Sequence, residues 1–194
     1  MALLILGLAI FLGSHSLRML APGWRDARLA QLGEKGWKGT FSLLSATGLV
    51  LVVWGYGQAR GEGAALWAAP TWVRHAAAGL MLPSFILLVA AYVPGTRIKS
   101  ALGHPMLAGT ALWAFAHLIA NGRPAALVLF GAFLAWAATD FVSARRRDRA
   151  AGRRYRAQGL ARDATAVVLG SVIWAAFAFW GHAWLIGVAP FRIG

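Results

Sequence analysis

Residues 102–122 read LGHPMLAGTALWAFAHLIANG, an apolar run that opens with His104-Pro105 and carries a second histidine, His117, well inside it. The run is long enough to cross a membrane as a helix. Burying a histidine inside a bilayer costs free energy. His117 is therefore a candidate functional residue, with a partner expected on another segment. The best partner that the sequence offers is His15, in the first apolar run.

The composition around this run is that of an integral membrane protein. Apolar residues make up 59% of the 194 residues, far more than a soluble surface tolerates. The net charge of +13 lies mainly in short connections between apolar runs, where basic residues orient a membrane protein, so nucleic-acid binding is not expected. The absence of cysteine excludes disulfides, thiolate metal ligands and thiol nucleophiles.

Six apolar runs of about 17 to 25 residues are long enough to cross the hydrocarbon as helices. The sequence therefore predicts an all-α, polytopic membrane protein in which residues 1–194 form a single six-helix transmembrane bundle. The first run has no positive n-region and no cleavage site, so it is expected to be retained. Only Gly122, Arg123 and Pro124 separate runs four and five, which predicts a tight hairpin. The predicted spans are residues 2–20, 40–57, 72–93, 105–121, 124–143 and 164–189.

The basic residues predict the orientation. Of the 19 Lys and Arg residues, the connections after spans one, three and five hold all but Arg60, Arg74, Arg123 and Arg192. By the positive-inside rule those three connections are cytoplasmic and both termini lie outside. Eight arginines fall in residues 145–162, which fits a topology-setting loop; a lipid-binding or nucleic-acid-binding arm is the alternative.

The five histidines differ in predicted depth. His75, His104 and His182 lie near span ends, where they reach water. His15 and His117 lie on spans of opposite direction at depths that agree to within roughly 7 Å. Two helices packed at about 8 to 10 Å can aim both imidazoles at one site.

Two imidazoles inside a membrane suit an iron porphyrin, whose macrocycle is apolar and whose iron takes an axial histidine on either face. Zinc or copper normally needs further ligands, and no Cys, Asp or Glu lies at that depth. Histidines satisfied by helix-to-helix hydrogen bonds are the alternative. On the face of His117 lie Trp113 and Ala114.

Arg18 lies one turn from His15 on the cytoplasmic side, where its guanidinium could pair with a haem propionate. The alternatives are a snorkelling arginine or an ion pair with Asp140, a residue to which no chemistry is assigned. Nucleotide-binding, P-loop, serine hydrolase and zincin motifs are absent from the sequence.

Five strings resemble the NnrU family of bacterial inner-membrane proteins associated with denitrification and nitric oxide metabolism. They are GSHSLRMLAPGWRD (13–26), VVWGYGQAR (52–60), LLVAAYVPGTRIKSALGHP (87–105), WAFAHLIANG (113–122) and FLAWAATDFVSARRRDR (133–149). The family is similar to the membrane domain of 15-cis-zeta-carotene isomerase, a haem b enzyme. That similarity implies haem b with His15 and His117 as the axial iron ligands. In the inner membrane, the outside position of the termini that the basic residues predict is periplasmic. The isomerase has a cysteine where this chain has Ala114, so a thiol ligand switch is excluded.

Three functions follow from these observations. The first is a haem b protein of nitric oxide or nitrite metabolism that senses gas, transfers electrons or supports a reductase, with an electron donor that the sequence does not identify. The second is a haem-dependent cis-trans isomerase of a lipophilic polyene, with a cleft lined by residues such as Phe85, Ala111, Trp113 and Phe115. The third is a haem-free assembly or transport factor. Membrane lipid is a partner in all three.

Overall fold

The computed structural model describes residues 1–191, and within that range every regular element is a helix. Arg192, which was counted on the arginine-poor side, lies outside the described residues. The elements are α1 Ala2–Leu20, α2 Pro22–Ala59, α3 Thr71–Tyr92, α4 Arg97–Leu102, α5 Pro105–Ala120, α6 Pro124–Ala150 and α7 Leu160–Ile186. The all-α, polytopic membrane class is confirmed.

The predicted count of six spans is not supported. Five helices, α1, α2, α3, α6 and α7, are long and apolar enough to cross a membrane. The predicted fourth span corresponds to α5, which has 16 residues and is therefore about 24 Å long, less than the hydrocarbon thickness of about 30 Å. The helix begins at Pro105, as predicted, because proline suits a first helical position and disfavours a helical conformation in the residue before it. The predicted hairpin after it is present, at residues 121–123.

Residues 21–39 were predicted to be a connection, but from Pro22 onwards they are helical except at Gly33. α2 begins at Pro22, with only Ala21 between it and α1, and its 38 residues are broken at Gly33, where φ is +68° and ψ is 170°. Glycine reaches this backbone conformation without steric cost, so the chain bends there without a loop. Around the bend, the Arg28 guanidinium lies 5.6 Å from the Trp24 ring and Arg25 lies 5.7 Å from Trp37. These contacts suit an amphipathic segment at a membrane interface.

The long helices pack as a row. α2 contacts α1, α1 contacts α6, α6 contacts α5, α5 contacts α3, and α3 contacts α7. The α1–α2 pair is held by close backbone approach: a Cβ on Gly55 would meet the backbone of Leu3 and Leu4, and one on Gly48 would lie 2.7 Å from the Phe11 amide nitrogen. Small residues at such contacts are how helices associate in lipid, where the hydrophobic effect does not drive them together.

The helix ends gather at two faces. At the terminal face, the Met1 amine lies 3.6 Å from Glu62, the Leu66 amide donates to the Gly122 carbonyl at 2.9 Å, and Arg60 donates to the Ile186 carbonyl. At the opposite, basic face, His104 meets Asp148 at 2.8 Å. α5 therefore runs from the basic face to the terminal face beside α6.

Candidate functional site

His15 lies on α1 with its ring fixed by its own helix. Its Nδ1 lies 2.7 Å from the Phe11 carbonyl oxygen, one turn earlier. Because a carbonyl only accepts, Nδ1 carries the proton of the neutral ring and Nε2 keeps its lone pair. The Phe11 ring lies 4.3 Å away, Phe41 of α2 lies 5.0 Å away and Trp136 of α6 lies 6.0 Å away, measured between ring centroids.

His117 on α5 is fixed in the same way. Its Nδ1 donates to the Trp113 carbonyl oxygen, one turn earlier, at 2.8 Å, which again leaves Nε2 with its lone pair. Its ring stacks on Phe130 of α6 at 4.6 Å with an interplanar angle of 27°. Two histidines on different helices thus present the same nitrogen, each oriented by the carbonyl four residues before it.

An aromatic row on α6 joins the two histidines. Phe130 and Trp136 contact His117 and His15 respectively, and they are six residues apart, which is about 9 Å along a helix. Between them, Phe133 contacts Phe11 at 5.9 Å and Trp113 at 5.3 Å. The two imidazoles therefore lie at opposite ends of one row of stacked and edge-on rings.

The histidine nearest to His117 in the described part of the chain is His182 of α7. Their ring centroids lie 6.4 Å apart with planes inclined by 24°. The Nδ1 of His182 donates to the Val188 carbonyl at 2.6 Å, so this third imidazole also keeps its Nε2 lone pair. Residues Phe177–Gly181, directly before it, form a π-helical turn, an irregularity that occurs frequently at functional sites.

The donor chemistry fits haem. Metal-binding histidines usually donate the other ring nitrogen to a carbonyl or carboxylate, which fixes the ring and its tautomer, and His15, His117 and His182 all do so. Within residues 1–191 no cluster of three or more His, Cys, Asp and Glu side chains is placed to hold a bare metal ion. A cofactor that brings its own equatorial ligands would need only axial nitrogens of this kind.

The other predicted site residues fall in two places. Trp113 lies against Phe130 and Phe133 in the aromatic row, and Ala114 is fully buried in the same core. Arg18 lines a small cavity on the basic face. Asp140, the alternative partner of Arg18, pairs with Arg147 instead. Its carboxylate accepts from the Arg147 guanidinium at 3.2 Å.

The residues named for the polyene cleft do not all face the same neighbours. Trp113 lies on the α6 side of α5, whereas Phe115 is 45% exposed. Phe85 contacts Phe177 of α7. The sequence spacing anticipates this result, since residues 113 and 115 are about 200° apart around a helix.

His104 belongs to a separate polar cluster. Its Nε2 lies 2.8 Å from Asp148 Oδ2, and the Tyr155 hydroxyl donates to the same oxygen at 2.9 Å. Burial raises the pKa of the Tyr155 hydroxyl, and its hydrogen bond to Asp148 acts in the same direction. His75 is exposed beside Phe191.

The comparisons with known proteins bear on this arrangement as a whole. The family model described as NnrU protein matches residues 3–190. The chain belongs to the NnrU family. This NnrU protein matches no curated protein and no solved structure. The family resemblance drawn from the five strings is confirmed, and the NnrU match includes His15, His117, His182 and the polar cluster at His104.

Sequence reasoning selected His15 and His117 but missed two relationships. The predicted depths of His117 and His182 already place both side chains towards the external side. The same depth argument could therefore have predicted that they lie close together. The π-helical turn was not, because nothing in the FAFWG string distinguishes it from an α-helix. The His104–Asp148–Tyr155 cluster needed the fold of residues 151–159, which no periodic pattern predicts.

Proposed function

We propose that this NnrU protein binds haem b in the bacterial inner membrane and acts in denitrification and nitric oxide metabolism. NnrU membership indicates a membrane protein linked to nitric oxide. The observation that carries the haem assignment is the matched pair of Nδ1 hydrogen bonds, at 2.7 Å for His15 and 2.8 Å for His117. These bonds leave an oriented Nε2 atom with a lone pair on each of two helices, which is what each axial ligand must supply.

His117 is the centre of the proposed site and His15 is the expected second axial ligand. Trp113 and Ala114 would lie beside the macrocycle, and Arg18 would pair with a propionate. His182 is the competing second ligand, because its ring is near that of His117 and its Nε2 is equally available. When bound, haem b would supply one-electron transfer, or nitric oxide binding after one imidazole has left.

We propose that α5 also crosses the membrane, which gives six crossings and two periplasmic termini. The ends of α5 support this topology, since His104 contacts Asp148 at the basic face and Gly122 contacts the loop before α3 at the terminal face. A helix of about 24 Å can cross where the bilayer thins locally or where neighbouring helices shield its ends. The arginine-rich basic face is then cytoplasmic.

The first experiment is an absorption spectrum of the detergent-purified protein, oxidised and dithionite-reduced, with a pyridine haemochrome assay. A low-spin b-type spectrum at about one haem per chain is expected from two imidazole ligands. A colourless protein, expressed with added haem precursor, would contradict the proposal and leave the haem-free assembly or transport factor. If haem is present, nitric oxide binding to the reduced protein supports the proposed function, whereas polyene turnover without a nitric oxide response would support the isomerase.

A further inference from the structure

Arginines surround two cavities on the basic face. The larger, which we call the guanidinium cavity, has a volume of about 310 Å³ and is lined by Arg145, Arg149, Arg153, Arg154 and Tyr155 above the Asp148 carboxylate. The smaller, of about 120 Å³, shares Asp148 and Arg153 with it and extends to Arg18 and His104. Neither cavity includes His15, His117 or the aromatic row.

The acidic residue of the guanidinium cavity already has partners. Asp148 Oδ2 accepts from Tyr155 at 2.9 Å and lies 2.8 Å from His104 Nε2, while Oδ1 lies 3.8 Å from Arg153 Nε. The Asp148 side chain is only 14% exposed. With four arginines and one aspartate in its wall, the cavity carries a net charge of +3. Asp148 therefore offsets one of the four arginines and positions His104 and Tyr155, and three positive charges remain uncompensated within the cavity wall.

The loop that closes the cavity is folded onto the bundle. Ser100 Oγ donates to the Tyr155 carbonyl at 2.6 Å and the Gln158 amide donates to the Gly95 carbonyl at 2.8 Å. The Arg162 guanidinium donates to the Pro94 carbonyl at 2.8 Å. A segment that only sets topology needs positive charge but no such fixed contacts. The contacts of residues 155–162 with residues 94–100 therefore hold the loop that carries Arg153 and Arg154 in a fixed position beside the cavity.

Three separated sequence strings meet at this place. GSHSLR ends with Arg18, LGHP contains His104, and SARRRDR supplies Arg145, Asp148 and Arg149. The haem proposal uses only Arg18 of these residues. The strings belong to three different helices or helix ends, so their meeting depends on the fold and not on local sequence.

We propose that the guanidinium cavity binds the phosphate group of an anionic ligand. Guanidinium groups match phosphate oxygens with paired hydrogen bonds, and a wall of net charge +3 attracts both a phosphodiester with one negative charge and a phosphate monoester with nearly two. The volume of about 310 Å³ accommodates a phosphorylated headgroup as well as the phosphate itself. The ligand is either the headgroup of an anionic lipid, since lipid phosphates lie at this face, or a soluble phosphate ester.

The test uses the full chain, purified in detergent and stripped of lipid. Thermal unfolding is followed while short-chain phosphatidylglycerol, glycerol 3-phosphate or short-chain phosphatidylcholine is titrated, and an apparent Kd is obtained from the stabilisation. The test variant is Arg149→Gln with Arg154→Gln, two exposed residues of the cavity. The matched control is Arg25→Gln with Arg28→Gln, which removes the same charge from one half-buried and one exposed position near the start of α2.

We expect phosphatidylglycerol to stabilise the protein, and the R149Q/R154Q variant to raise its apparent Kd about tenfold, with less than a twofold change in the control. Stabilisation by glycerol 3-phosphate as well would identify a soluble phosphate ester as a ligand; stabilisation by the lipid alone would identify a headgroup. Equal weakening in both variants, stabilisation by phosphatidylcholine to the same extent, or no stabilisation by any probe would overturn the proposal. The haem spectrum of the R149Q/R154Q variant should be unchanged, which separates this site from the haem proposal.

Discussion

His117 and His182 lie on different helices with their ring centroids 6.4 Å apart and their planes 24° from parallel. His15, the partner expected from the family resemblance, contacts Trp136 at the other end of the aromatic row. His117 therefore has two candidate partners, the imidazoles of His15 and His182, which lie at different positions. Which of them shares an iron with His117 is the most direct question that the structure raises.

Replacing the histidines one at a time should separate these ligands. His117→Ala should lower the haem content of the purified protein about tenfold or more, and His15→Ala should do the same, because each removes a proposed axial ligand. His182→Ala should retain the low-spin reduced spectrum, as should the control His75→Ala. The measurement is the pyridine haemochrome ratio with the reduced spectrum. Loss of the low-spin spectrum in His182→Ala, with retention in His15→Ala, would assign the second ligand to His182 instead.

The α1–α2 contact should not tolerate one added methyl group. A Cβ on Gly55 would meet the backbone of Leu3 and Leu4, whereas one on Gly57 would meet nothing within 4 Å. Gly55→Ala should therefore destabilise the protein by about 1–3 kcal/mol through overpacking. Gly57→Ala is the matched control and should be neutral or slightly stabilising. Thermal unfolding in detergent measures both, and equal melting temperatures for the two variants would show that the helices separate easily there.

A buried hydroxyl holds α3 to α5. Ser84 is fully buried and its Oγ donates to the Gly109 carbonyl at 2.8 Å. Ser84→Ala should cost about 0.5–1.5 kcal/mol, the size of interhelical hydrogen bonds in membranes. The control is Thr139→Val, since the Thr139 hydroxyl is exposed and bonds only to the Ala135 carbonyl of its own helix. A Ser84→Ala protein as stable as the wild type would mean that the carbonyl finds another donor.

Tyr155 should make stability depend on alkaline pH. Burial, and then the hydrogen bond to Asp148, raises the pKa of this hydroxyl in the folded protein. A raised folded-state pKa gives stability that is fully present below the unfolded pKa of about 10 and is lost as the pH rises through the folded value. The melting temperature of the wild type minus that of Tyr155→Phe should therefore be constant to about pH 10 and then fall. A difference that stays constant to higher pH would contradict the role assigned to this hydrogen bond.

The chain has no cysteine, so single cysteines can map its topology without a background. A cysteine at Arg149 should resist a membrane-impermeant maleimide added to intact cells, and cysteines at Gly63 and Asn121 should react. The cysteine at Arg149 tests whether the basic face is cytoplasmic. The cysteines at Gly63, before α3, and at Asn121, after α5, test whether both of these loops lie at the terminal face outside the cell membrane. Opposite labelling at Gly63 and Asn121 would show that α5 does not cross, because these two loops would then lie on different sides.

Hydropathy along the sequence predicted the long apolar helices. It could not predict the features that depend on backbone geometry. Five of the predicted spans correspond to long apolar helices, because charged residues in the sequence mark where these apolar runs end. The helix at residues 22–32 was missed because its basic residues fit a connection equally well, and only the Gly33 conformation shows where the chain bends. His15 and His117 were selected by depth, and the same argument could have placed His182 near His117, but the π-helical turn before His182 could not be predicted.

The hydrogen bonds of His15 and His117 to their own helices have a consequence for biogenesis. A bond from Nδ1 to the carbonyl four residues earlier forms as soon as that turn of helix forms, before any other segment is present. α1 is made first, so the nascent chain carries one correctly oriented imidazole through the time in which α2, α3 and α4 are synthesised. Insertion of α5 then supplies the second imidazole, oriented in the same way. Capture of the proposed haem would then require only that these two helices, each with its histidine already oriented, come together.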